Sequence, residues 1–167
     1  MRLAVQYPGQ KRLLENYRLR GNLMKEDLTG KLALDTSALI ELVYSTPAGS
    51  RLREKLIQGF VEAFTTELNI AELRYVLCRK LGLKESSVRV DKLLASGYIA
   101  VEDFSALIAE ASELKCQRAI SLADCFCLAL AQKTSSKAVF ASREKDLVNE
   151  MKKKPFDVET FFLEDYE

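Results

Sequence analysis

The sequence contains no histidine and no tryptophan, and the missing histidine is the more informative absence. Without an imidazole the chain lacks the usual general base near neutral pH and the commonest protein ligand for transition metals. Any catalysis must therefore use carboxylates, hydroxyls, amides or thiols. Carboxylates gathered in one place repel one another unless protons or a hard cation such as Mg²⁺ or Mn²⁺ compensate their charge.

Long hydrophobic runs and paired cysteine motifs are also missing. The longest apolar run is about seven residues, too short to cross a membrane, and no hydrophobic segment of the signal-peptide type begins the chain. The four cysteines have no C-x-x-C spacing and no histidine to complete a zinc site, and the apolar run over residues 125–131 predicts packed, reduced thiols for the two cysteines within it. The four are Cys78, Cys116, Cys125 and Cys127. These absences predict a cytoplasmic protein.

Charge is unevenly distributed along the chain. The net charge is +1, but residues 1–31 hold seven Lys/Arg against three Asp/Glu, a balance of +4, which leaves −3 for the rest. A net-acidic body does not suit a protein that binds duplex nucleic acid by phosphate neutralisation alone. A nucleic-acid substrate would need a metal at an acidic centre, with phosphate contacts from Arg79, Lys80, Arg143 and residues 152–154.

The 167 residues fit one domain and an N-terminal extension. We predict an extension or arm over residues 1–30, which Pro8, Gly9 and Gly21 punctuate, and a globular domain over residues 31–167. Two interpretations of the extension stay open. It is either a basic arm that contacts RNA or a partner, or an upstream addition to a chain that starts at Met24.

From Lys31 onward, short apolar strands alternate with helical segments. Strands are predicted at residues 32–35, 61–66, 98–101, 137–141 and 156–162, with a turn at 47–49 and a helix over 69–81. Strands separated by helices pair in parallel through right-handed crossovers. We therefore predict an α/β fold with a central parallel sheet of about five short strands.

Four acidic residues lie where predicted strands end or helices begin: Asp35, Glu72, Asp124 and Glu144. Those points converge on one edge of an α/β sheet, so we expect the four carboxylates to meet there. Each has an ordinary alternative role. Asp35 could be a turn or cap residue, and Glu144 the solvated start of a helix. Glu72 and Asp124 each follow a cap-type residue by three positions, the spacing of a capping box with Asn69 and Ser121.

In this order and context, the acids resemble those of the PIN domain family of metal-dependent ribonucleases. The matching stretches are Leu34-Asp-Thr-Ser-Ala-Leu-Ile40, Asn69-Ile-Ala-Glu-Leu73, Ile120-Ser-Leu-Ala-Asp-Cys-Phe126 and, more loosely, Val139-Phe-Ala-Ser-Arg-Glu-Lys-Asp-Leu147. The resemblance covers roughly Lys31 to the C-terminus. The small size, with no added domain, is most similar to the toxins of VapBC toxin–antitoxin pairs.

The resemblance implies a three-layer α/β/α fold and an endoribonuclease that cleaves single-stranded RNA. It also implies Mg²⁺ or Mn²⁺ held mainly by Asp35 and Asp124, with Glu72 and Glu144 completing the shell and with Thr36 and Ser142 in support. A VapB-like antitoxin and a second copy in a homodimer are the expected protein partners. The family usually has Thr-x-Asp after the fourth strand, whereas this chain has Ser142-Arg-Glu144. That departure leaves open whether Glu144 or Asp146 is the fourth acid, and whether one metal binds or two.

Two other functions remain open from the sequence. One is a PIN-type nuclease that processes RNA without an antitoxin. The other is a non-catalytic binding module that keeps the fold without the metal, as capping roles for the acids would allow.

Overall fold

The computed structural model describes residues 28–166, so most of the predicted arm over residues 1–30 lies outside the described residues. The strands are β1 (Gly30–Leu34), β2 (Val61–Thr66), β3 (Ile99–Glu102), β4 (Lys137–Phe140) and β5 (Thr160–Phe162). The helices are α1 (Thr36–Tyr44), α2 (Pro47–Ile57), α3 (Glu67–Leu81), α4 (Leu83–Ala95), α5 (Ile108–Gln117), α6 (Leu122–Thr134) and α7 (Lys145–Lys153). Short 3-10 helices span Phe104–Leu107 and Leu163–Tyr166.

The five strands form one parallel sheet in the order β3-β2-β1-β4-β5. The chain moves outward from β1 through β2 to β3, then returns to place β4 on the other side of β1. Between β1 and β4 the connections therefore leave in opposite directions, which opens a crevice at the carboxyl ends of these two strands. The predicted parallel α/β fold is confirmed.

Helices cover both faces of the sheet, because alternate strand residues point to opposite sides. Leu32 and Leu34 of β1 pack into the core beneath α1–α4, whereas Ala33 packs into the core beneath α5–α7. Val139 and Ala138 divide in the same way on β4. The result is the three-layer α/β/α arrangement.

Helix α6 passes through the second core, and its middle is apolar on every side. Its residues from Cys125 to Ala131 are all buried. Cys125 and Cys127 are buried, as predicted for this apolar run, whereas Cys78 is half-buried and Cys116 is exposed; burial raises the pKa of Cys127 well above its ordinary value. This packing fixes the direction of α6 and therefore the position of its first turn.

Two local predictions are wrong. Residues 47–49 are the first turn of α2, with Thr46 as N-cap, and do not form a separate turn. Helix α3 begins at Glu67, because the Thr66 hydroxyl accepts the backbone N–H of Asn69 at 3.1 Å. Asn69 is therefore not the cap, and Glu72 lies in the second turn of the helix, outside any capping box.

Across residues 28–166, no helix combines the length and the apolar composition needed to cross a membrane.

Candidate active site

Asp35 lies at the junction of β1 and α1. Its backbone N–H donates to the carbonyl of Val139 at 2.9 Å, which continues the pairing between β1 and β4. Its Oδ2 accepts the backbone N–H of Ser37 at 2.8 Å and the Ser37 hydroxyl at 2.7 Å, so Asp35 caps α1. The side chain is buried. The cap holds the carboxylate at the carboxyl edge of the sheet, so the capping role of Asp35 is confirmed and its role as a metal ligand stays a prediction.

The other oxygen of Asp35 has a partner from α3. Asn69 Nδ2 donates to Asp35 Oδ1 at 3.1 Å and to the Thr36 hydroxyl at 3.1 Å. It also lies 3.5 Å from the carbonyl oxygen of Ala123, the residue before Asp124. Asn69 thus links the ends of β1 and α6 through a side chain of α3.

Glu72 reaches the same place from the second turn of α3. Its Oε2 accepts the Thr36 hydroxyl at 2.6 Å, and its Oε1 accepts the Tyr75 hydroxyl at 3.2 Å. Thr36, which was predicted as a supporting residue, follows Asp35 in the chain, and its hydroxyl contacts the Glu72 carboxylate.

Asp124 is in the first turn of α6 and forms the predicted capping box. Its Oδ2 accepts the backbone N–H of Ser121 at 2.9 Å, and its own N–H donates to the Ser121 hydroxyl at 3.0 Å. The second carboxylate oxygen has no hydrogen-bond partner among residues 28–166. A carboxylate that caps a helix can therefore still offer one oxygen to a cation.

Glu144 is the exposed N-cap of α7, beyond the end of β4. Its backbone N–H donates to the carbonyl of Ser142 at 3.0 Å, which turns the chain at the sheet edge. Asp146 is exposed in the first turn of the same helix. Ser142 is exposed as well and contributes its backbone to this turn.

The four acids interact electrostatically. Burial, and then the charge of Asp124, raises the pKa of Asp35 from 3.8 to about 6. Burial also raises the pKa of Asp124, with further increases from the charges of Glu144 and Glu72. The pKa of Glu144 is raised by desolvation and then by Asp35, Glu72 and Asp146. Asp146 contributes to the raised pKa of Glu144, and the charges of Asp35, Glu72, Asp124 and Glu144 act on one another.

No basic side chain of residues 28–166 forms an ion pair with these four acids. Arg143, predicted to contact phosphate, instead pairs with Glu164 at 2.9 Å and Asp165 at 2.7 Å and lies over the ring of Phe162. The acid cluster therefore carries negative charge that the described residues leave uncompensated.

The donor set fits a hard divalent cation. As the side chains stand, no three Asp, Glu or Cys residues within residues 28–166 are close enough to ligate one ion together. Mg²⁺ commonly binds through one or two carboxylates and keeps several waters, so it does not require three acids at one point. Asp35 is buried, Asp124 is half-buried, and both lie at the carboxyl edge of the sheet, so these two could hold such a cation.

Sequence reasoning missed two residues of this site. Ser37 holds Asp35, and its hydroxyl accepts the backbone N–H of Ala141 at 3.0 Å, which ties the end of β1 to the end of β4. The Asp-x-Ser spacing was the available signal, because a serine two residues after an aspartate commonly donates to it. Asn69 was noticed only as a cap.

A family model described as PIN domain matches residues 32–153. No curated protein sequence matches the chain.

Solved structures of similar fold include VapC20 of Mycobacterium tuberculosis, which is described as a sarcin–ricin loop cleaving toxin. It matches at 19% identity and a TM-score of 0.55, and the match covers 72% of this chain and 94% of VapC20. VapBC2 of Rickettsia felis, bound to a DNA fragment from its promoter, matches at 16% identity and a TM-score of 0.60, over 79% of this chain and 99% of the other. A toxin–antitoxin complex from Klebsiella pneumoniae matches at 15% identity and a TM-score of 0.54, over 80% and 98%. At these identities the likeness to solved structures concerns the fold alone. The family is shown by the family model, which matches most of the chain, residues 32–153: the chain belongs to the PIN domain family.

Proposed function

We propose that this protein is a divalent-metal-dependent endoribonuclease that cleaves single-stranded RNA. One observation carries the proposal. Four carboxylates from separate segments lie near enough to interact at the carboxyl edge of the sheet, and burial and then the charges of neighbouring acids raise the pKa values of Asp35, Asp124 and Glu144. Like charges held together in this way cost stability, and clusters with perturbed pKa values are typical of functional sites.

Each residue has a role in this proposal. Asp35 and Asp124 would hold Mg²⁺ or Mn²⁺, and Glu72 and Glu144 would complete its shell. When bound, the cation acts as a Lewis acid that activates water and stabilises the charge that develops on the phosphodiester. The hydroxyl of Thr36 keeps the Glu72 carboxylate in place. Ser142, in the exposed turn before α7, is near enough in sequence to Glu144 to assist phosphate binding there.

RNA without base pairing is the substrate that the open sheet edge favours. Glu144 and Ser142 are exposed there, so a flexible strand can reach the acids without the cost of opening a duplex. The likeness of fold to VapC20, a sarcin–ricin loop cleaving toxin, supports a nuclease of this kind.

The test is cleavage of a single-stranded RNA with and without Mg²⁺. Asp124→Asn should abolish cleavage while keeping the fold, because the amide oxygen can still accept the N–H of Ser121. Asp35→Asn should also abolish it, but its new NH₂ group would face the NH₂ of Asn69 and lower stability somewhat. Asp103→Asn is the matched control. Asp103 caps a helix through Ser105 as Asp35 does through Ser37, yet it lies outside the acid cluster.

Metal-dependent cleavage that survives Asp124→Asn would refute the assigned site. Equal loss in Asp103→Asn would show that damaged capping, and not ligand removal, explains the result.

The toxin role extends the proposal to an antitoxin partner. An apolar groove of about 310 Å³ lies between α1, α2, α4 and the start of β3, and three cations surround it: Arg53, Arg89 and Lys92. An amphipathic antitoxin helix with acidic residues beside its apolar face fits such a groove. The groove is near the amino ends of β2 and β3, so the antitoxin would need a further segment with a basic side chain to reach the acids.

A co-purification experiment separates a toxin from an antitoxin-free RNA-processing nuclease. The protein encoded immediately upstream should co-purify with this chain, and Lys92→Glu should weaken the complex. Lys84→Glu, an exposed change on the same helix, is the control. No complex with wild type would favour the RNA-processing function.

The second copy of a homodimer would bind a surface to which α3, α4 and α6 each contribute one side chain. Tyr75, Leu83 and Leu122 are large apolar side chains with exposed fractions of 48%, 74% and 45%. Tyr75 lines a groove with Leu122 on one side and another with Leu83 on the other, so the three form one surface beside Glu72. A contiguous exposed apolar surface of this kind is typical of a protein interface. Light scattering should give a dimer for wild type and a monomer for Tyr75→Glu.

A non-catalytic binding module is the second candidate, since no three described acids stand within ligating distance of one point. Titration with Mn²⁺ decides between the two. Binding by wild type and not by Asp124→Asn supports the nuclease, and no binding by either supports the module.

A further inference from the structure

Asn69 is a neutral, fully buried side chain at the centre of the acid cluster. Its Nδ2 donates to Asp35 Oδ1 and to the Thr36 hydroxyl, each at 3.1 Å. Its Oδ1 accepts the hydroxyl of Thr66 at 2.5 Å. A buried amide costs free energy unless its donors and acceptor are satisfied, and here they are.

The chemistry of the partners fixes how this amide is oriented. An ionised Asp35 carboxylate can only accept, so the atom of Asn69 that faces it must be the nitrogen. The Thr66 hydroxyl already accepts the backbone N–H of Asn69, and its own hydrogen is therefore free to donate to Oδ1. Thr66 thereby locks the side chain of Asn69 in one of its two flipped states.

We propose that Asn69 is a positioning residue for the metal site: it fixes the direction of the Asp35 carboxylate and thereby sets the affinity for the divalent cation. This inference rests on the proposed function. Asn69 contacts Asp35 directly, Glu72 through the hydroxyl of Thr36, and approaches the carbonyl of Ala123 at 3.5 Å. One side chain thus relates three segments that carry acids of the cluster.

A neutral donor suits this position better than a charged one would. Lysine or arginine at residue 69 would form an ion pair with Asp35 and neutralise the charge that a cation needs. An amide orients the same oxygen by a hydrogen bond and leaves the negative charge in place. Removal of a group that orients a metal ligand in this way commonly lowers metal affinity or activity by about 10- to 100-fold.

The test compares Asn69→Leu with Thr65→Val. Thr65 is the matched control, because it is also fully buried and its hydroxyl donates to the carbonyl of Leu34, directly before Asp35, at 2.9 Å. Both changes remove buried hydrogen bonds at the same edge of the sheet, but only Asn69 touches a carboxylate. Calorimetric titration with Mn²⁺ should show affinity reduced by about tenfold or more in Asn69→Leu and nearly unchanged in Thr65→Val.

Cleavage kinetics give a second readout. Asn69→Leu should lower kcat and leave KM for the RNA nearly unchanged, because the residue acts on the ligand and not on the substrate. Wild-type Mn²⁺ affinity in Asn69→Leu, or an equal loss in Thr65→Val, would overturn the proposal, since a general loss of packing would then explain the data.

A metal-free measurement keeps this inference separate from the proposed function. In NMR spectra the side-chain NH₂ protons of Asn69 should exchange slowly with water in wild type, exchange faster in Asp35→Ala, and be unchanged in Asp103→Ala. No Mn²⁺ binding by wild type would refute the metal-dependent function. Identical Asn69 NH₂ signals in wild type and Asp35→Ala would refute the positioning of Asp35, whether or not metal binds.

Discussion

The hydroxyl of Thr36 donates to Oε2 of Glu72 at 2.6 Å, so the residue that follows the first acid in the chain fixes the side chain of the second. Thr36 opens α1 and Glu72 lies on α3, and both helices cover the same face of the sheet. Tyr75 holds the other oxygen of Glu72 at 3.2 Å. Both oxygens of Glu72 are thus occupied by hydroxyl donors, which is consistent with contact to a cation through water.

Thr36→Val is predicted to lower the cleavage rate by about tenfold, the order of magnitude for removing a group that orients a metal ligand. The substitution preserves shape but releases Glu72 and removes one acceptor from the NH₂ group of Asn69. We expect a loss of stability of about 1–3 kcal/mol, since a buried donor is left partly unpaired. Rates and thermal melting of the purified variants measure both effects.

Thr36→Ser is the matched control because it retains the hydroxyl. It should cleave at close to the wild-type rate. A rate for Thr36→Val equal to that of Thr36→Ser would show that the hydrogen bond to Glu72 has no catalytic importance.

The fourth acid can be identified by comparing Glu144→Gln with Asp146→Asn. Desolvation and then the charges of Asp35 and Glu72 raise the pKa of Glu144, which therefore lies near those two acids, whereas Asp146 is exposed in the first turn of α7. Glu144→Gln should therefore reduce cleavage by about tenfold, less than Asp124→Asn, as expected of a ligand that acts through water. Asp146→Asn should cleave nearly as wild type does. A greater loss in Asp146→Asn would reassign the fourth acid.

Sequence patterns predicted the strands well where strand and loop differ in chemistry. Residues 61–66 were predicted and found as β2, and β4 ends one residue earlier than predicted. The last strand was predicted over 156–162 but spans only Thr160–Phe162. Phe156 was included because it is apolar, yet its ring packs beneath the guanidinium of Arg118, a contact that depends on tertiary structure.

The site was predicted less completely than the fold. The strand–helix junctions identified the acids, because a carboxylate that directly follows a buried strand lies at the carboxyl edge of the sheet. The start of α3 was missed because Thr66 and Asn69 are both good N-caps, and only packing decides between them. With Thr66 as the cap, Asn69 is free to turn toward Asp35, which no pattern within α3 could indicate.

Gly49→Ala is predicted to destabilise the protein and to disturb the site from a distance. A Cβ atom at Gly49 would lie 2.0 Å from the carbonyl oxygen of Glu41 in α1, so the backbones of α1 and α2 must separate. Overpacking of this kind costs about 1–3 kcal/mol or more. Because α1 begins directly after Asp35, cleavage should fall as well. Chemical denaturation measures the stability.

Ser50→Ala is the control for this change, since Ser50 is exposed on the same helix and donates only to the carbonyl of Ser45 at 3.1 Å. Its effect should stay within about 0.5 kcal/mol. Equal stability of Gly49→Ala and wild type would mean that the backbones of α1 and α2 lie further apart at Gly49 than the 2.0 Å approach of its Cβ position to the Glu41 carbonyl requires.

The metal-free protein should lose stability as the pH rises, because burial and the charge of Asp124 raise the pKa of Asp35 from 3.8 to about 6. At a pH well below 3.8 the carboxyl is protonated in both the folded and the unfolded state, so its full contribution to the free energy of unfolding is then present. That contribution is lost as the pH rises through about 6, where the buried carboxyl ionises. The shift corresponds to about 3 kcal/mol at 1.36 kcal/mol per unit.

Denaturation of wild type and Asp35→Asn in EDTA, between pH 4 and 7.5, isolates this contribution from that of other groups. The free energy of unfolding of wild type, minus that of Asp35→Asn, should decrease across this range. Mg²⁺ at pH 7.5 should restore stability to wild type and not to the variant, since a ligand that binds only the folded state stabilises it. A difference that is independent of pH and of Mg²⁺ would show that Asp35 is neither strained by its neighbours nor a ligand, and would leave capping of α1 as its only role.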